Sequence, residues 1–201
     1  MWLESVHFIF KFCEQEILNT TKRGFVFNRI WAMPSAWTFT IPPIAKLIHR
    51  YVEDGKGWID PFAGENSPAE ITNDLNPERP STYHMDALQF LSEQKSEIYK
   101  GCLFDPPYSL TQAKECYDSF GKDLFVEHDN IPTMMDYWAN CKKYASRSIK
   151  PGGIAICFGW NTNGFGKGNG FEMIEILAVP HGGSKNDTFV TVERKFTHSM
   201  F

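Results

Sequence analysis

The chain lacks most of the patterns that assign a protein at sight. None of its five cysteines (13, 102, 116, 141 and 157) forms a CxxC pair. An odd, unpatterned set of thiols argues against a disulfide scaffold or a zinc ribbon and places the protein in a reducing, cytoplasmic compartment. No metal-ligand spacing stands out. No apolar run nears the roughly 20 residues that a membrane span needs. The opening MWLESVHFIFKFCEQE has no basic stretch ahead of an apolar one, so it does not read as a secretory signal. GxGxxG is absent, which makes a nicotinamide dinucleotide a poor fit, and no GxxxxGK precedes a Ser or Thr, which argues against a P-loop. There is no internal repeat, low-complexity tract or linker-like stretch, so residues 1–201 are expected to form a single domain.

What is present is ordinary for a globular chain: 42% hydrophobic and 22% charged residues, with 17 Phe, 7 Tyr and 6 Trp. The net charge of −4 hides an asymmetry. Residues 1–52 carry +3, residues 53–136 carry −11 and residues 137–201 carry +4. The acidic total argues against indiscriminate nucleic-acid binding, while the basic ends leave room for a local polyanion surface or a solvated helix face.

Along the chain, apolar strands alternate with helical patterns. Around 39–53, within TFTIPPIAKLIHRYVED, the chain reads as a helix, with Thr40 as its cap, prolines in its first turn and an apolar stripe of Ile44, Leu47, Ile48 and Tyr51. GKGWIDPFAG, AEITNDLNP and GCLFDPPYS read as strands running into turns. Residues 85–93, TQAKECYDSF and roughly 133–149 read as helices. KPGGIAICFGW reads as a turn and a buried strand, and FEMIEILAVP and DTFVTVERKF as a closing pair of strands. The order predicts an α/β, doubly wound, mostly parallel sheet with an antiparallel C-terminal hairpin.

In such sheets ligands bind at the carboxyl ends of the strands. Asp60, Asp74 and Asp105 all fall there, and Gly64 allows a tight turn after Asp60. Asp74 suits a ribose, because a carboxylate accepts from vicinal hydroxyls, and Asp86 follows in the next loop. Together they describe a site for an adenosine-containing cofactor. The run Asp105-Pro106-Pro107-Tyr108 is the most specific feature. Two prolines stiffen the chain just past a strand. The Asp105 carboxylate and the Pro106 carbonyl then form a pair of acceptors for one amino group, with the Tyr108 ring beside them.

DPFAG (60–64), NDLNPE (73–78), HMDAL (84–88), DPPYS (105–109) and KPGGIAICFGW (150–160) resemble the ordered motifs of S-adenosylmethionine-dependent DNA amino-methyltransferases. FNRIWAMPSAWTFTIPPIAKLI (27–48) is similar to the segment ahead of the cofactor loop in small, often phage-encoded adenine-N6 methyltransferases. The resemblance covers about residues 27–195. It implies the seven-stranded, Rossmann-like class I methyltransferase sheet with a reversed last strand. It also implies that Asp60, Phe62, Ala63 and Gly64 line the methionine end of the cofactor, that Asp74 holds the ribose and that Asp86, with Ala87 beside it, meets the adenine. Trp31, Ala32, Met33, Pro34 and Thr40 would close over the cofactor. Asp105, Pro106, Pro107 and Tyr108 would hold the target base, with Asp105 also bordering the cofactor. The implied partner is DNA, single- or double-stranded, in a prokaryotic or phage-infected cytoplasm, with no membrane and with the chain as monomer or homodimer.

Three departures accompany the likeness. Asn66 stands where the family has a second glycine, only 14 positions separate Asp60 from Asp74, and no target-recognition module is inserted between Asp60 and Asp105. Cytosine-N4 methylation, RNA adenosine methylation and an inactive partner subunit are the competing readings; glutamine methylation fits less well, because that family starts with Asn where Asp105 stands. Arg29, Lys142, Lys143, Arg147 and Lys167 are the candidate phosphate contacts, Lys167 because its glycine-rich loop follows a strand end. With so few spare segments, a short or relaxed recognition sequence is expected, about 1–4 base pairs.

Overall fold

The computed structural model describes residues 24–121, 134–183 and 185–197. Its centre is one seven-stranded sheet built from β1 (Val26–Arg29), β2 (Trp58–Asp60), β3 (Ile71–Thr72), β4 (Tyr99–Phe104), β5 (Ile149–Gly159), β6 (Phe171–Val179) and β7 (Thr188–Lys195), in the order β1-β6-β7-β5-β4-β2-β3. All pairings are parallel except those of β7, which runs antiparallel to both β5 and β6. The doubly wound sheet and its reversed C-terminal hairpin are as the sequence predicts. The strand at one edge is a different matter: β1 adds to β6 from the N-terminal side, with Val26 opposite Glu175 and Arg29 opposite Ala178. At the opposite edge, past β3, the ladder is reduced to a single bridge between Asn73 and Tyr83.

Helices cover both faces. On one face lies α1 (Pro42–Val52), which buries Ile44, Leu47, Ile48 and Val52 against Leu103, Ile156, Leu177 and Val190 of the sheet. The i, i+3, i+4, i+8 spacing of those four residues puts them on one stripe. Its N-cap is Ile41, with Pro42 and Pro43 opening the helix, where a missing N–H costs nothing. Thr40 is therefore not the cap: its hydroxyl donates to the Trp37 carbonyl and meets Ser35. On the other face, α2 (Ala87–Ser92) and α4 (Met134–Ser148) pack over Ile59, Cys102, Phe104, Ala155 and Cys157. Between them in sequence, α3 (Leu110–Ser119) is capped by Ser109, whose hydroxyl accepts from the Gln112 N–H.

Two local features follow from single residues. Gly101 lies under the Trp58 ring, where an added Cβ would come within 2.6 Å of ring atoms. The run Pro151–Gly153 is not a turn ahead of β5 but a bulge inside it: β5 pairs Tyr99 with Ile149 and then Gly101 with Ile154. Among the described residues, no helix is long and apolar enough to cross a membrane.

Candidate active site

Six parallel strands end at one edge of the sheet, and the chain leaves each of them into the walls of a single cleft of about 960 Å³. Pro61 and Phe62 follow β2, Asn73 and Asp74 follow β3, Asp105 to Tyr108 follow β4, Trp160 follows β5 and His181 follows β6. The segment after β1 contributes Pro34, Ser35, Ala36 and Thr38.

Asp105 sits half-buried at the carboxyl end of β4. Burial raises its pKa to about 6, against the opposing hydrogen bonds of Tyr108 and Thr38. The Tyr108 hydroxyl donates to its Oδ1 at 2.5 Å and lies 3.4 Å from the Thr38 hydroxyl. The Tyr108 ring meets Trp160 edge-on, with centroids 5.7 Å apart. Behind these rings a smaller cavity of about 130 Å³ is lined by Pro107, Trp138, Lys142 and Phe158.

Asp74 lies on the cleft wall, half-buried. Its Oδ2 accepts from the Gly64 N–H at 2.9 Å and its Oδ1 from the Asn76 N–H at 2.8 Å. Each carboxylate oxygen has two lone pairs, so the two backbone donors orient Asp74 and leave it acceptor capacity. Asp86 is the contrast. Its Oδ1 accepts from the Leu88 and Gln89 N–H groups, capping α2, and its Oδ2 accepts from the Tyr117 and Tyr137 hydroxyls. Four donors use all four sites of the carboxylate. Asp86 is buried beneath the cleft and holds two tyrosines that line it. Its neighbour Ala87 does reach the cleft.

The loop after β2 meets the cleft at its start. Phe62 lines the cleft, packed edge-on against Phe104 and Trp138. Asp60, Ala63 and Gly64 do not line it. Asp60 is fully buried and accepts from the Phe62 N–H and the Ser67 hydroxyl; burial raises its pKa to about 7. Ala63 donates its N–H to the Asn73 carbonyl. Gly64, at φ +57°, is covered by Trp37: a Cβ there would meet the indole at 3.5 Å. Arg79 stacks on the other side of that indole at 4.9 Å and pairs with Glu65. The segment expected to close over the cofactor is thus latched through Trp37, while Trp31, Met33 and Thr40 are exposed and off the cleft and Ala32 is buried.

Of the basic candidates, Arg29 is exposed where β1 ends, at the cleft edge of the sheet, and Lys143 is exposed on α4. The other three are engaged within the fold or lie elsewhere. Lys142 donates to the Asn163 and Gly164 carbonyls, and Arg147 donates to the Leu91, Ser92 and Gln94 carbonyls, so both serve as internal clamps. Lys167 lies just ahead of Phe171, where β6 begins and where the Phe196 N–H meets the Gly170 carbonyl. That is the edge of the sheet opposite Asp105, because the chain from Trp160 to Gly170 crosses back over the face to start a parallel strand.

Several cleft residues carry no local signature in the sequence. Asn73 donates to the Pro61 and Met85 carbonyls and accepts from the Met85 N–H, fixing two loops to each other. His181 Nδ1 donates to the Ala32 carbonyl at 2.9 Å, and its Nε2 lies 2.8 Å from the Thr188 hydroxyl. This ties the β6–β7 hairpin to the segment after β1. Lys185 and Asn186 extend that hairpin along the cleft.

With the geometry in place, solved structures identify the architecture. TrmN from Thermus thermophilus matches with a TM-score of 0.53 and 16% identity over 78% of this chain. The fold is that of the class I, Rossmann-like methyltransferases. A second match is the 1,6-didemethyltoxoflavin-N1-methyltransferase of Burkholderia thailandensis, solved with its substrate and S-adenosylhomocysteine, at a TM-score of 0.51 and 11% identity over 77% of each chain. The chain spans about half the length of the Thermus protein. No family model matches, and no curated protein matches.

Proposed function

We propose that the protein is an S-adenosylmethionine-dependent methyltransferase acting on the exocyclic N6 amine of adenine in DNA. The observation that carries this reading is the placement of Asp105-Pro106-Pro107-Tyr108 in the same cleft as Asp74, at the carboxyl ends of neighbouring parallel strands in a methyltransferase fold.

The residues present suit the cofactor. Asp74 has spare acceptor sites for ribose hydroxyls, Phe62, Tyr117, Tyr137 and Trp138 give apolar and aromatic walls, and the cleft is large enough for the cofactor and a base together. S-adenosylmethionine supplies an electrophilic methyl group on sulfur. The amine of adenine is a weak nucleophile because its lone pair is shared with the ring. Asp105 and the Pro106 carbonyl accept from that amine, draw the nitrogen towards tetrahedral geometry and localise the pair. Tyr108 and Trp160 flank the base. Rate enhancement comes from positioning and electrostatics, with no covalent enzyme intermediate. A base inside a duplex has to leave the stack to reach Asp105.

Calorimetry with S-adenosylhomocysteine tests the cofactor half of the site. Asp74→Ala is expected to weaken binding by about 1.5–3 kcal/mol, the range for hydrogen bonds to a charged group. Unchanged affinity would show that Asp74 only holds the Gly64 and Asn76 turns.

A further inference from the structure

We infer that the target adenine is taken from an unpaired DNA strand rather than from an intact duplex, an inference that rests on the adenine reading above. Trp160, 40% exposed, lines the cleft, and two further exposed apolar side chains, Trp31 at 60% and Met33 at 67%, belong to the segment that runs beside the β6–β7 hairpin. Trp31 and Met33 flank Ala32, whose N–H donates to the Pro180 carbonyl and whose own carbonyl accepts from His181. Both side chains therefore sit beside the hairpin that forms one cleft wall, and the Trp31 Nε1 lies 3.5 Å from where a Cβ on Gly182 would stand.

The charges point the same way. Duplex binding draws most of its affinity from lysines and arginines on phosphates. Here Lys142 and Arg147 are turned onto backbone carbonyls, and Lys167 is at the far edge. Among the described residues lining the main cleft, Lys185 is the one cation, set against Asp74 and Asp105. With Lys185 in the cleft and Arg29 at its edge as the cations, set beside exposed Trp31, Met33 and Trp160, the surface suits a strand whose bases show their faces, because stacking on aromatic side chains is open to unpaired bases and closed to paired ones.

The test uses the full chain and two oligonucleotides of one adenine-containing sequence, single-stranded and duplex. Methyl incorporation from labelled S-adenosylmethionine gives kcat/KM, and fluorescence anisotropy with S-adenosylhomocysteine present gives affinity. The single strand is expected to be methylated at least about tenfold more efficiently. Its affinity is expected to fall only shallowly with salt, with a log–log slope of about −0.7 to −1.4 for one or two phosphates. Trp31→Ala, an exposed position whose fold a thermal melt checks, is expected to weaken single-strand binding by about tenfold. Equal or better methylation of the duplex overturns the inference and leaves the adenine reading standing. Unaltered single-strand affinity in Trp31→Ala also overturns it. Label in neither oligonucleotide overturns both.

Discussion

In the proposed reaction Asp105 accepts from the target amine, and its surroundings set the pH at which it can do so. Burial lifts its carboxyl to about 6, and Tyr108 and Thr38 pull in the opposite direction by hydrogen bonding to it. An ionised Asp105 accepts from an amine, and a protonated one presents an O–H. Turnover should therefore hold above pH 7 and fall by about tenfold per unit below about pH 6, as a pH–rate profile at saturating cofactor would show. Asp105→Ala is expected to remove at least about 100-fold of turnover while leaving S-adenosylhomocysteine affinity nearly unchanged. Tyr108 tests the same carboxylate from the other side. Its hydroxyl donates to Asp105, which favours the ionised form, so Tyr108→Phe should move the acid limb of the profile to higher pH. The plateau rate should survive, because the ring that flanks the base is kept. An acid limb that stays in place would mean that Tyr108 does not donate to Asp105 in the working enzyme.

At the scale of elements, the sequence is most legible where one residue type has one mechanical use. Pro42-Pro43 ahead of an apolar stripe marks the start of α1, and Asp105-Pro106-Pro107-Tyr108 marks the end of β4. It is least legible where a residue's partners lie far away in the chain. Asp86 reads as a cofactor ligand because it follows the second acidic loop. Its commitment to Tyr117 and Tyr137, 31 and 51 positions on, shows only in three dimensions. The strand β1 is short and alternates weakly, and it is fixed by pairing with β6 nearly 150 positions away. Lys167 follows a strand end in sequence, yet the parallel direction of β6 carries it to the wrong edge. The network around Asp86 has a measurable consequence. Asp86→Ala removes a helix cap and leaves two buried phenols without their acceptor. It should lower stability by about 2–4 kcal/mol in urea unfolding, more than the ~1 kcal/mol of a cap alone. A loss no larger than a cap would mean that the tyrosines are held by each other.

At the scale of the whole molecule, the fold explains why the acidic middle of the chain holds the site. The −11 segment 53–136 spans β2, β3 and β4, and three of its aspartates, Asp60, Asp74 and Asp105, gather at the carboxyl ends because all three strands are parallel. The three sit differently: Asp60 ties the loop after β2, Asp74 and Asp105 line the cleft, and Asp105 is the proposed acceptor for the target amine. Mass spectrometry of nucleosides is the sharpest test of adenine-N6 methylation of DNA. DNA and RNA would be incubated with the protein and isotopically labelled S-adenosylmethionine, digested and analysed for each methylated nucleoside. Label is expected in N6-methyldeoxyadenosine and is expected to be lost in Asp105→Ala; label in N4-methyldeoxycytidine or in RNA adenosine alone, or in no nucleoside at all, would rule out DNA adenine-N6 methylation.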